Sequence, residues 1–203
     1  MHLSTQDRER IASAIRSAES NTSGEIVCVL ARASAPATAL PVFTAAVMAL
    51  ALPWFLVALT EMTVHRILMS QIAVFVLLLV LLCLPRMRVA LMPRKARQAV
   101  AHRAAMAQFA LRGIAHKKER SGILIFVSLA ERYARIIADD GIAAHVPQAE
   151  WQGAINTLVA HMRDGRIADG FISAIEMCGK KLAQHFPRDA ASADVLPDKI
   201  YTI

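Results

Sequence analysis

Two adjacent carboxylates, Asp139 and Asp140, stand immediately before Gly141 at the end of a short apolar run, and a third acid, Glu25, opens another such run far upstream. Carboxylates where a strand ends, beside a glycine that lets the backbone turn sharply, occupy the loops in which α/β domains carry ligands. Such oxygens suit a hard divalent cation, but calcium takes about six to eight oxygen ligands drawn from more than one segment. Asp139, Asp140 and Glu25 are therefore candidates for a weakly held calcium ion, beside the plainer reading of a solvated acidic turn. No other cofactor is expected. The seven histidines (His2, His65, His102, His116, His145, His161 and His185) show no HExxH or paired ligand spacing. Ser128 follows an apolar run, but Val127 and Leu129 flank it in place of the glycines of a nucleophile elbow. Cys28, Cys83 and Cys178 lie in apolar runs without CxxC spacing and read as buried, reduced thiols. No residue is assigned a catalytic role.

The elements that must position these groups are legible in the hydrophobic pattern. Ser4 and Thr5 are of the type that caps a helix, and Ile11, Ile15 and Ala18 share one face of a helix running to about Ser20. Residues 24–30 form a β-rich run buried on both faces, and residues 122–128 form another. A turn over 129–132 then leads into a third strand over 133–138, pairing back. Residues 96–118 favour helix, with Ala101, Ala105 and Phe109 at i, i+4, i+8. Trp151, Ile155, Leu158, Val159 and Met162 predict a helix over 148–162, with Trp151 as core. A last helix runs from Asp169 to His185, showing Ile172, Ile175, Gly179 and Leu182 on one face, and Pro187 closes it. Short strands alternating with amphipathic helices define an α/β domain.

Between the first strand and the rest lie two uncharged stretches, 33–60 and 67–85, joined by a link of six residues. Each is long enough to cross the ~30 Å hydrocarbon core as a helix. The short link makes them antiparallel, with Pro41 at the start of the first and Pro53 kinking it. Residues 38–86 thus read as a transmembrane hairpin inserted in a discontinuous domain made of 1–33 and 95–187, with 188–203 a flexible tail. The chain of 203 residues is 56% hydrophobic with a formal charge of +7 and a pI near 9.8. Residues 86–120 hold ten basic residues against the single acid Glu119, so the basic excess lies beside the second membrane helix. Topology signals and anionic lipid headgroups account for it, and nucleic acid does not need to be invoked. Lys and Arg flank the hairpin outside the link, which puts both termini and the α/β domain in the cytoplasm by the positive-inside rule.

In this order the residues resemble the TPM-domain family, also called the TPM phosphatase or domain-of-unknown-function 477 family, and within it a bacterial membrane branch with a hairpin inside the domain. The resemblance runs through Ser23-Gly24-Glu25-Ile26-Val27, Arg120-Ser121-Gly122-Ile123-Leu124-Ile125-Phe126-Val127-Ser128 and Arg135-Ile136-Ile137-Ala138-Asp139-Asp140-Gly141-Ile142. It continues through Trp151, Asp164-Gly165, Asp169-Gly170 and His185-Phe186-Pro187. It implies a compact three-layer α/β/α sandwich, with roles around membrane protein complexes and, in some relatives, weak acid-phosphatase activity and metal binding. Ser121 stands where the metal-binding members have Asn or Asp, and Asp139-Asp140-Gly141 replaces their glycine-rich turn. The expected function is a non-catalytic domain, anchored in the bacterial inner membrane, that binds or helps assemble and maintain membrane protein complexes. The alternative is a weak metal-dependent acid phosphatase. Expected partners are the bilayer, its anionic headgroups and an unidentified membrane protein.

Overall fold

The structure is a computed structural model and describes residues 3–34, 39–61, 63–83, 93–114, 121–188 and 197–203. Parts of the basic run (84–92 and 115–120) and of the C-terminal segment (189–196) lie outside the described residues. In chain order the elements are α1 (Thr5–Glu19), β1 (Glu25–Ala31), α2 (Ala39–Leu59), α3 (Val64–Cys83), α4 (Arg94–Leu111), β2 (Gly122–Ser128) and β3 (Tyr133–Ala138). The short α5 (Asp140–Ala143), a 3₁₀ turn (Gln148–Trp151), α6 (Gln152–Arg163), α7 (Ile167–His185) and β4 (Ile200–Thr202) follow. They form two compact units, Met1–Ser34 with Val100–Ile203, and Ala35–Ala99.

The first unit is built on a mixed four-stranded sheet of order β3-β2-β1-β4. β1 runs parallel to β2, with Val27 opposite Leu124. A parallel pair needs a crossover in place of a tight turn, and here everything from α2 to α4 lies in that connection. β2 and β3 pair antiparallel, with Ile125 opposite Ile136, as a four-residue turn permits. Every residue of β1 and β2 is buried, because both faces of the sheet are covered. On one face Ile26, Cys28, Ile123, Ile125 and Ile136 meet Ile11 and Ile15 of α1, Leu158 of α6, and Phe171 and Ile175 of α7. On the other, Val27, Val29, Leu124 and Phe126 meet Ala105 and Phe109 of α4 and Ile114. The result is an α/β/α arrangement.

Local chemistry sets the helix ends. The Ser4 Oγ accepts from the Asp7 amide at 3.0 Å, and the Asp7 carboxylate accepts from the Ser4 amide at 3.2 Å, a complete capping box. Those Ser4 bonds hold the Asp7 carboxyl below the usual carboxylate range. α7 starts at Ile167, two residues ahead of the predicted start, so Asp169 falls in its first turn, where acids suit the helix dipole. The Trp151 helix opens with a 3₁₀ turn, and Trp151 is in the core.

The C-terminal segment corrects the sequence reading. Instead of a loose tail throughout 188–203, Ile200–Thr202 add a fourth strand parallel to β1, with Ile200 opposite Cys28. The Ile203 amide donates to Leu30 O at 3.0 Å, and the Arg32 amide donates to Ile203 O at 2.8 Å. Three residues show no period of their own; they become a strand because the second edge of β1 offers unpaired backbone groups.

In the second unit α2 and α3 pack against each other, burying Ala45, Ala49 and Ile67. α2 continues through Pro53. α3 begins at Val64, so His65 and Arg66 belong to its first turn and not to the link. Phe43, Leu50, Phe55 and Leu77 are exposed, and Trp54 is 81% exposed.

Candidate functional site

The predicted carboxylates sit at the amino ends of the parallel strands, flanking one glycine. Glu25 opens β1 opposite Gly122, and its amide donates to Ser121 O at 3.1 Å. Across β2, the Asp139 amide donates to Gly122 O at 2.9 Å. Both acids are buried, 3% and 4% exposed. Gly122 is required between them: a Cβ there would lie 2.4 Å from Ile114 Cγ2, so the Ile114 side chain occupies the space above the glycine. Asp139 caps α5, its Oδ1 accepting from the Asp140 amide at 2.8 Å, whereas Asp140 is exposed on the first turn of that helix. Glu25 and Asp139 thus flank one residue, and Asp140 lies outside them. Among the described residues no group of three or more His, Cys, Asp or Glu is placed to hold a metal ion. Calcium takes several converging oxygens; the sheet brings Glu25 and Asp139 to either side of Gly122 and leaves Asp140 on the exposed first turn of α5. Ser121 is fully buried, and its hydroxyl donates to Ser23 O at 3.2 Å, tying the two strand starts together.

Two of the histidines have structural partners. His102 Nδ1 lies 3.2 Å from the Tyr133 hydroxyl, and His145 Nδ1 lies 3.0 Å from Gly141 O, with its ring edge-on to Phe186. Cys28 and Cys178 are buried free thiols. Burial pushes the Cys28 thiol well up, and pushes Cys178 up to about 12, so neither is a nucleophile near neutral pH.

At the opposite end of the sheet, the turn between β2 and β3 holds a residue that the sequence does not single out. Glu131 is buried, and both its carboxylate oxygens accept from the Ser34 amide at 3.1 Å. The Ser128 hydroxyl donates to the same carboxylate. The Leu129 amide donates to Ala31 O and the Ala130 amide to Arg32 O, both at 3.0 Å. The turn therefore grips the chain over 31–34, where it leaves β1. Ser128, a nucleophile candidate by type, spends its proton on this grip. A four-residue turn containing one acid carries no pattern that would have marked Glu131. Beside it, Arg132 adopts a left-handed backbone (φ 52°), uncommon for a residue with a Cβ. A cavity of about 500 Å³ opens next to the turn, bounded by the end of β2, the start of β3 and the last turns of α6.

Residues 85–181 match the profile described as the TPM domain. The match begins after β1, although β1 lies inside the same sheet. No curated protein matches. Among solved structures, the chain is similar to the NMR structure of the BA42 protein from the psychrophilic bacterium Bizionia argentinensis sp. nov. The TM-score is 0.62 at 21% identity, covering 100% of this chain and 96% of that one, which shows a shared fold.

Proposed function

Because this chain carries a TPM domain, we propose that it is a membrane-anchored, non-catalytic protein that binds, and helps assemble or maintain, membrane protein complexes. The observation that carries this reading is the surface of the second unit. Residues 42–59 and 64–82 form helices long and apolar enough to cross a bilayer, yet only 11% and 6% of those stretches are buried within the protein. The core helix of a water-soluble protein is mostly buried, whereas a membrane helix turns its apolar side chains outward to lipid. The anchoring surface would be the bilayer, with anionic headgroups at the basic residues that follow the second helix. The proposed setting is a bacterial inner membrane, with both termini and the α/β domain cytoplasmic.

The non-catalytic half of the reading is supported by how the candidate groups are used. Ser128 is bonded to Glu131, Asp139 caps a helix, and the two described thiols stay protonated. General acid–base or nucleophilic chemistry needs such groups free and convergent.

Gentle solubilisation of membranes followed by co-purification and phosphate-ester assay tests the proposal. A membrane protein should co-purify in fixed ratio with the chain. Hydrolysis of an artificial phosphate ester, with or without calcium, should be weak and little changed by Asp139→Asn with Asp140→Asn, and calcium should bind weakly at most. Robust turnover abolished by that double substitution would establish the metal-dependent phosphatase in its place.

A further inference from the structure

We propose that the cavity beside the β2–β3 turn binds an amphiphilic anion, with a phosphate or carboxylate head held by Arg132 and Arg163 and an apolar portion lying on Val127, Leu129, Val159 and Met162. This inference is independent of the assembly role and concerns the opposite end of the sheet from the Asp139 carboxylate.

Four observations carry it. The cavity, about 500 Å³, is of the size that holds a small molecule, and its make-up of apolar walls with a few polar groups is that of a ligand site. It lies against Val127 and Ser128, at the carboxyl end of a parallel strand pair, the end at which open α/β sheets bind ligands. Its two cations are unspent. Arg10, Arg166 and Lys181 are paired with Asp169, Asp164 and Glu150, but among the described residues Arg132 and Arg163 have no ion pair or side-chain hydrogen bond. Finally, the one acid in the turn is turned away: the Glu131 carboxylate is buried against the Ser34 amide and the Ser128 hydroxyl. Arg132 is held at the cavity in an unfavourable left-handed conformation, at a turn position where a glycine would be free of strain.

Guanidinium groups pair with phosphate and carboxylate through charge-assisted, often bidentate bonds. An inorganic anion would use only those groups and leave the apolar wall wet; an anion bearing a short hydrocarbon chain uses both. The head could belong to a lipid or to a free phosphate, and the probes below separate them.

The full chain, purified in a neutral maltoside detergent, would be titrated with dihexanoyl phosphatidic acid, dihexanoyl phosphatidylcholine and inorganic phosphate, following the thermal unfolding midpoint. A ligand that binds the folded state alone raises that midpoint and saturates. Phosphatidic acid should give a saturable rise, phosphatidylcholine none, and inorganic phosphate an apparent affinity at least about tenfold weaker. Arg132→Asn and Arg163→Gln should each weaken phosphatidic acid about tenfold or more. Asn tolerates the left-handed backbone at 132, and Arg163 is exposed, so both variants should fold; if one does not, the other carries the test. No rise with phosphatidic acid, an equal rise with phosphatidylcholine, or a rise that survives both substitutions would overturn the proposal. Inorganic phosphate binding as tightly as the lipid would overturn the amphiphile and leave a plain phosphate site.

Discussion

Cys28 and Cys178 lie on facing surfaces of the same core, one on the sheet and one on α7, and each is fully buried. A thiol is neutral when protonated, so desolvation raises its pKa, and for Cys178 the value reaches about 12 against an ordinary 9.0. The unfolded chain then releases these protons near pH 9 while the fold retains them. For Cys178 the contribution to stability is fully present below about pH 9 and is lost as pH rises towards about 12, falling by about 1.4 kcal/mol per pH unit in that window. The Cys28 thiol, also raised by burial, acts in the same direction. Thermal melts of the full chain between pH 8 and pH 11 should show this decline, and a Cys28→Ala, Cys178→Ala variant should show a shallower one. In a Cys83→Ser background, iodoacetamide at pH 8 should leave both thiols unmodified until denaturant is added; rapid labelling of the native protein would contradict their burial. Glu131 has a different role. Replacing it with Ala strands the Ser34 amide and the Ser128 hydroxyl, at a cost of about 1–3 kcal/mol. Chemical denaturation should read that loss, and Glu131→Gln should recover part of it because one acceptor oxygen remains.

Between elements, α1 and α7 approach closely at Gly179. A Cβ on Gly179 would lie 2.7 Å from Ala18 Cβ and 3.3 Å from Ala18 Cα. Alanine is intrinsically better in a helix than glycine by about 1 kcal/mol, but forcing a methyl group against a backbone atom costs about 1–3 kcal/mol. Gly179→Ala is therefore expected to lower stability despite the propensity gain, and a stabilised variant would mean the helices can part. The two faces of the sheet can be probed separately. Val27 faces α4 and Ile125 faces α1 and α7, so Val27→Asp and Ile125→Asp each place a charge in a different core layer. Each should cost more than about 3 kcal/mol or abolish folding, read as loss of a cooperative thermal transition. A mild effect of Val27→Asp alone would mean that the α4 layer is loosely held.

At the scale of the whole molecule, the proposed membrane hairpin makes a prediction about orientation. The proposed orientation, with both flanks of the hairpin in the cytoplasm, rests on the basic residues before α2 and after α3 and on the positive-inside rule. Reporter fusions after Arg32 and after Arg103 should both give cytoplasmic signals. A periplasmic signal at either would reverse the orientation. The grip of Glu131 on Ser34 means that the chain is held by the α/β unit up to residue 34, the residue before the second unit begins.

The sequence alone determined whatever depends on local pattern. Long uncharged runs specify lipid-length helices, short apolar runs rich in Ile and Val specify strands buried on both faces, and Ser4 with Asp7 marks a helix start. Each is a property of neighbouring residues along the chain. It was silent on relations between distant segments. That Ile200–Thr202 form a strand depends on the free edge of β1, about 170 residues away in the chain. That Glu25 and Asp139 flank Gly122 while Asp140 points outward depends on the sheet register and on the cap of a four-residue helix. Glu131 gained a role only when the turn met the chain leaving β1, and Arg132 and Arg163 met at a cavity only when β3 and α6 packed together. Those contacts are bought by collapse of the whole core, and no window of the sequence contains both partners.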